Sequence, residues 1–246
     1  MIDTTVHRFP RHKWPKIPPP LTREQIDIMN DWMQHWHGVL PQKYGVIEHF
    51  NHTYPLSHRP SGHIRTLELG AGLGAHAELE DLLTQEYHCV EIRENMAAEI
   101  RRRFPSITVL TEDCQGRLPY QDGFFDRIVA VHVLEHLPYL PRAITEAKRL
   151  LKLDGIFSIV IPCDPGVAYE FARKISSERI FRRRYKLPYM WLMRREHLNS
   201  PGEILSLLGN AFEEIDREYF PLRFLPISQA NLCIGATFRR VEGSRR

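Results

Sequence analysis

The chain reads as an α/β protein built on an open, doubly wound sheet. Three observations predict this. Strand-like and helix-like segments alternate from residue 64 to residue 162, the order that sets parallel strands side by side with helices on both faces. The stretch Gly155–Ile161 is nearly all apolar, as a strand buried on both faces must be. A glycine-rich turn, LGAGLGA, closes the first strand of the series.

Taken in order, residues 1–63 form an N-terminal arm and a helical lid. Pro10, Pro15, Pro18, Pro19 and Pro20 block helix and favour an extended arm. Thr22 opens a helix, with Gln25 three residues on completing a capping box. Ile26, Met29, Trp32, Met33 and Trp36 follow at helical spacing, which gives one apolar, aromatic face. That face either docks on the main core or closes over a ligand, and two tryptophans favour the lid. Residues 41–63 read as loop, punctuated by Pro41, Gly45, Pro55, Pro60 and Gly62. The main domain spans 64–246. Its expected elements are a strand at Ile64–Leu69, the glycine turn, a helix at Ala75–Thr84, a strand at Tyr87–Ile92 and a helix at Asn95–Phe104. Strands at Ile107–Leu110 and Phe125–Val131, a helix at Pro141–Leu151 and the strand at Gly155–Ile161 follow. After an insert at 165–199, Ser200, Pro201 and Glu203 start another helix with a second capping box. Strands at Phe212–Phe220 and Leu232–Arg239 complete the domain, and the tail EGSRR is expected to fray.

Composition narrows the function classes. Lys plus Arg is 33 and Asp plus Glu is 30, a net charge of +3, so no nucleic-acid partner is expected. No apolar run approaches the roughly 18 residues needed to span a bilayer, and the N-terminus has no apolar h-region. Cys89, Cys114, Cys163 and Cys233 are far apart, without a CxxC pair. That pattern fits reduced thiols and a cytoplasmic location better than a zinc ribbon or a disulfide scaffold.

The glycine turn carries the first chemistry. Gly70, Gly72 and Gly74 let the backbone bend sharply and approach a ligand without a Cβ in the way, and the expected helix after them would aim its N-terminal amides at that ligand. Glu91 lies 21 residues after Gly70, where a carboxylate can accept both hydroxyls of a ribose. Gly70, Gly72 and Ala75 also satisfy the looser fingerprint of dinucleotide enzymes. However, Glu68 would repel a pyrophosphate and attract an ammonium group, and Asp113-Cys114 ends the third strand, where a carboxylate can meet the adenine amino group. A ligand with an ammonium, a ribose and an adenine but no phosphate is S-adenosylmethionine.

The runs LELGAGLG, CVEIRENM, EDCQGRLPYQDGFFDRIVAVHVLEHL and RLLKLDGIFSIVIP resemble the class I S-adenosylmethionine-dependent methyltransferases, and within them the methyltransferase type 11 group. The resemblance covers about residues 64–162. It implies a Rossmann-like sheet of seven strands with the last antiparallel. It also implies that Glu68, Gly70, Ala71 and Gly72 hold the methionine part of the cofactor, Glu91 the ribose, Ile92 one side of the adenine, and Asp113 and Cys114 its edge. His132 is then placed near the sulfonium. Glu68 and Glu91 stand where aspartate is commoner in the family.

A hydroxyl acceptor needs a base of near-neutral pKa, whereas an amine needs only its lone pair. The candidate bases are His132, His197 and Asp164, with His136 read as a structural contact in the turn to Pro138. His132 and His136 are four apart, but His132 ends a strand, so a helical metal pair is not expected and no metal is assigned. The insert carries nine Lys or Arg against three acids, with Tyr169, Phe171, Tyr185, Tyr189, Met190 and Trp191 among them. It reads either as a solvated basic helix or as a cap over an anionic, phosphate-bearing or membrane-presented acceptor. The expected activity is methyl transfer to oxygen of a small, sugar- or lipid-linked acceptor. An RNA or protein methyltransferase and a non-catalytic cofactor-binding subunit remain alternatives. The Asn/Asp-Pro-Pro-Tyr signature of base and amine methylation is missing from the fourth strand, which ends in AVHVLEHL.

Overall fold

The computed structural model describes residues 13–43 and 45–242, without the side chains of 36–43. The aromatic face expected at Trp36 and the tail from residue 243 therefore lie outside the described residues. Seven strands form one sheet: β1 (Ile64–Leu69), β2 (Gln85–Val90), β3 (Thr108–Leu110), β4 (Phe125–Val131), β5 (Leu151–Pro162), β6 (Glu213–Phe220) and β7 (Cys233–Arg239). Across the sheet the order is β3-β2-β1-β4-β5-β7-β6. Strands β1 to β5 are parallel, and β7 lies antiparallel between β5 and β6. This is the expected doubly wound sheet with an antiparallel last strand. The order reverses between β1 and β4, so a crevice opens at their carboxyl ends.

Eight α-helices surround the described sheet: α1 (Arg23–Lys43), α2 (Gly45–Ser57), α3 (Glu94–Arg103), α4 (Leu140–Leu150), α5 (Val167–Ile175), α6 (Ser177–Tyr185), α7 (Met190–Glu196) and α8 (Pro201–Ala211). α4 and α8 bury Leu140, Ile144, Ile204 and Leu208 with Phe157 and Phe238 of the sheet. α3 contributes Ile100 to a smaller cluster with Ala71, Tyr87 and Cys89. The Ser200–Glu203 capping box of α8 forms as expected, and so does the one joining Thr22 and Gln25 at α1.

Three expectations change. Of the expected loop at 41–63, the described residues up to 57 are helical, since α1 runs through Pro41 to Lys43 and α2 follows, whereas 58–63 lack helix and strand as expected. Phe50 and Tyr54, four apart on α2, bury against Val160 and Cys233, and this packing outweighs the ladder bond that Pro55 removes. Gly235 admits the Tyr54 ring, which would stand 2.5 Å from an added Cβ. The expected helix at Ala75–Thr84 is only a 3-10 turn at Ala77–Leu79. Asp81 accepts from Leu83 N at 3.1 Å and from Thr84 Oγ1 at 2.9 Å, a local turn that competes with helix. Glu80 turns inward to the buried Arg127 of β4 at 2.5 Å, while Arg127 also donates to Pro55 O at 2.8 Å.

Third, α1 docks on the insert rather than on the sheet. Trp32 is 4% exposed and packs edge-on to Phe181 and Tyr189, with centroids at 5.2 and 5.8 Å. Arg184 grips Asp31 through two bonds of 2.7 and 2.8 Å, so that arginine belongs to the α1–α6 contact and not to a bare basic face. The described part of the arm, residues 13–22, forms neither helix nor strand, and its Pro10 lies outside the described residues. It is pinned by Trp14 Nε1 to Asn199 Oδ1 at 3.0 Å and by the buried Lys16 to Glu203 at 2.6 Å. All four cysteines are free and buried. Among the described residues, no helix is long and apolar enough to cross a membrane.

Candidate active site

The glycine turn follows β1 with positive φ at Gly70, Gly72 and Gly74 (65°, 56° and 80°), a region L side chains resist. The amides of Gly70 and Ala71 both donate to Val90 O, which ties the turn to β2. An added Cβ at Gly70 would stand 2.5 Å from Val133 Cγ2, whereas at Gly72 it would meet nothing within 4 Å. The turn is thus closed on its inner side and open at Gly72. Glu91, 1% exposed, accepts from Gly72 N at 2.9 Å and from Arg93 N and Nε at 3.0 and 2.8 Å. Arg93 Nη2 also donates to its Oε2 at 3.5 Å, so four donors already meet the carboxylate beside the turn.

Ile92 is 63% exposed beside it. Asp113, at the surface, accepts from Gln115 N at 2.9 Å, and Cys114 lies buried next to it with its thiol pushed up to about 12 by burial. Glu68 is buried against β2. It accepts from Tyr87 Oη at 3.0 Å, and burial raises its pKa to about 8. Because no α-helix follows the turn, the amides available there are those of the turn itself.

The other side of the crevice collects histidines and carboxylates. His132 caps β4 with φ 52°, and its Nδ1 stands 3.2 Å from Glu135 Oε1. Burial opposes its charged form, but hydrogen bonds to Cys233 and Glu135 outweigh this and raise its pKa. His197 Nδ1 lies 2.8 Å from Asp164 Oδ2. The His136 and His197 rings meet at 5.4 Å between centroids. His136 Nδ1 is 2.6 Å from Glu196 O, sixty residues away rather than in the turn to Pro138, and its Nε2 faces Glu135 Oε1 at 3.7 Å. Burial pushes the Glu135 carboxyl up, while His136, His132 and His197 pull it down further, to about 2.

His132 and His197, predicted from separate stretches, therefore meet at Glu135, which sequence reasoning missed, and Asp164 stands behind His197. The run HVLEH offered a signal, a carboxylate between two histidines in one tight turn. Its meaning depended on His197, brought in by the fold. Leu198 N and Asn199 N donate to Glu135 O at 2.8 and 3.0 Å, and Asn199 Nδ2 donates to Leu134 O and Leu137 O. These bonds lock the two segments together.

Residues 67–159 match the methyltransferase-domain family. Over that stretch the chain is similar to a class I methyltransferase domain. The matched stretch is 35% identical over 102 residues to the malonyl-[acyl-carrier protein] O-methyltransferase of Geobacter sulfurreducens, covering 39% of this chain and 38% of that one. A second relative, from Mycobacterium tuberculosis, is 30% identical over 96 residues and is covered over 35% of its length. The chain thus spans less than two-fifths of these curated relatives. Among solved structures, the N-methyltransferase NodS from Bradyrhizobium japonicum WM9, in complex with S-adenosyl-L-homocysteine, aligns with a TM-score of 0.61 at 16% identity, over 88% of this chain and 98% of that one. The [4+2]-cyclase SpnF aligns with a TM-score of 0.63 at 16% identity, over 92% and 99%. Such likeness carries the fold, and one fold serves several chemistries. The Mycobacterium tuberculosis relative is named a probable S-adenosylmethionine-dependent methyltransferase.

Proposed function

We propose that this chain methylates a hydroxyl oxygen of a small, sugar- or lipid-linked acceptor. S-adenosylmethionine supplies an activated methyl group when bound. The residues fit that cofactor: the open face at Gly72 lies beside Glu91 for the ribose hydroxyls, and the exposed Ile92 and Asp113 suit an adenine face and edge. Glu68, held neutral by burial, gains a reason to ionise when an ammonium group arrives.

The observation that carries the oxygen reading is the meeting of His132 and His197 at Glu135, with Asp164 paired to His197, at the carboxyl edge of β4 and β5. A hydroxyl must lose its proton, and this is the cluster that can activate it. An amine acceptor would leave it without a task. The Geobacter relative is itself named an O-methyltransferase. The lipid or sugar preference rests on the insert. Val167, Phe171 and Ile175 are exposed at four-residue spacing along α5, beside the cavity lined by Arg179, Arg182 and Arg183 of α6. An apolar stripe next to basic side chains suits an anionic, partly apolar partner. Against an RNA acceptor, the chain as a whole is nearly neutral.

Calorimetry with S-adenosylhomocysteine tests the cofactor site. Transfer of labelled methyl groups to a panel of hydroxyl and amine acceptors tests the atom. Absence of binding overturns the methyltransferase reading, and label found only on nitrogen overturns the oxygen reading. Equal binding to anionic and neutral liposomes removes the lipid preference.

A further inference from the structure

We infer that Glu135, His136 and His197 form a binding site for one divalent first-row transition-metal ion. Each residue offers one ligand atom, and the three atoms lie within 4.8 Å of one another. Two further observations point to a cation. Glu135 Oε2 is fully buried and has no hydrogen-bond partner, although a carboxylate oxygen left without a donor in the interior is costly. And both imidazoles have Nδ1 occupied by an oxygen: His136 by Glu196 O at 2.6 Å, His197 by Asp164 Oδ2 at 2.8 Å. The carbonyl can only accept, so His136 carries a proton on Nδ1 and Nε2 is the nitrogen left to meet an ion. Asp164 favours the same tautomer in His197. An outer oxygen that fixes the tautomer and turns the other nitrogen inward is the usual support of a metal-bound histidine.

The donor set selects the ion. Two imidazoles and one carboxylate suit Zn²⁺, Mn²⁺, Fe²⁺ or Co²⁺ better than Ca²⁺ or Mg²⁺, which prefer oxygen throughout. Zinc–nitrogen distances of about 2.0–2.1 Å require the ligand atoms to close in modestly, and the bonds from Leu198 and Asn199 to the 134–137 turn already hold the two segments in place. The set is not the His132–His136 pair that sequence spacing made unattractive. It draws one histidine from the turn after β4 and the other from the end of the insert.

Three protein ligands leave a position open, as in catalytic rather than structural sites. An acceptor hydroxyl bound there would have its pKa lowered. Its O–H bond would break with the proton passing to solvent, leaving the oxygen as a metal-held alkoxide. This role rests on the hydroxyl-acceptor reading, but the binding of the ion does not.

The test uses the tag-free full chain, stripped with a chelator and then titrated separately with Zn²⁺, Co²⁺, Mn²⁺ and Mg²⁺. Retained metal is counted after gel filtration, and Co²⁺ is followed by its visible absorption. One equivalent of Zn²⁺ or Co²⁺ per chain is expected. Affinity should fall at least tenfold in His136→Ala and His197→Ala, and about 10–100-fold in Asp164→Asn, with S-adenosylhomocysteine affinity unchanged in all three. Glu135→Gln risks the fold because the carboxylate is buried, so the histidine variants carry the result. A wild-type chain that retains none of these ions overturns the inference, as does retention that the histidine variants leave intact. Loss of S-adenosylhomocysteine binding by wild type would instead strike the methyltransferase reading and leave the metal count standing.

Discussion

The two walls of the crevice are built on different principles. On the β1–β3 side, the groups proposed to hold the cofactor fall between Glu68 and Cys114, and backbone geometry does most of the work: positive φ at three glycines, and amides tied to Val90 O. On the β4–β5 side, the groups come from residues 132–136, 164 and 197, and side-chain hydrogen bonds assemble them. The first wall is coded locally and so shows as a motif. The second exists only after the insert has folded back onto the turn after β4. One wall can therefore stay constant while the other is rebuilt for a new acceptor.

The largest expected effect separates the walls by stability. Trp32→Ala removes the centre of the α1–insert cluster and should cost about 3–5 kcal/mol, yet S-adenosylhomocysteine should bind the surviving folded fraction with wild-type affinity. A matching loss of cofactor affinity would mean the two walls are one cooperative unit. Next comes a contrast in binding. Glu91→Ala removes charge-assisted hydrogen bonds worth about 1.5–3 kcal/mol each, so the dissociation constant for S-adenosylhomocysteine should rise at least tenfold by calorimetry. His132→Ala should leave that constant within twofold while abolishing turnover. Equal effects of the two would erase the division.

A third test uses pH. Glu68 has a pKa of about 8 in the folded chain against an ordinary value of 4.5. Between these values the folded chain holds a proton that the unfolded chain has lost, so stability falls as pH rises through that window and levels off above it. Glu68→Gln should flatten this slope, seen as a smaller drop in Tm from pH 5 to pH 8 than in wild type. An unchanged slope would place the titrating group elsewhere. The smallest effect belongs to the exposed Asp31–Arg184 pair. Arg184→Ala should move Tm by about a degree or less, and a larger shift would show that α1 is held by charge rather than by Trp32.

The same division explains what could be read in the sequence. Strands β1, β2, β4 and β5 declare themselves by apolar runs, and the glycine turn by its spacing, because both depend on neighbours in the chain. The α2 helix was hidden by Pro41 and Pro55, since the burial of Phe50 and Tyr54 against Val160 and Cys233 is a tertiary gain. The helix expected at Ala75–Thr84 failed for a related reason: Glu80 is drawn inward by Arg127, 47 residues away. His132, Asp164 and His197 could each be picked out by residue type and position after a strand. Glu135, where the two histidines meet, could not, because nothing near it in sequence says that His197 will arrive.

The N-terminal arm sets an order of assembly. Trp14 and Lys16 bond to residues 182 to 187 positions further along the chain, among them the Leu198–Asn199 segment that braces the histidine cluster. Contacts of such separation form late, because loop closure must precede any gain from them. The sheet from β1 to β5 and its glycine turn close over far shorter loops. During synthesis the chain can thus shape its glycine-turn wall while the arm still waits for its anchor. The histidine wall is braced only when the oldest residues of the described chain meet some of the youngest.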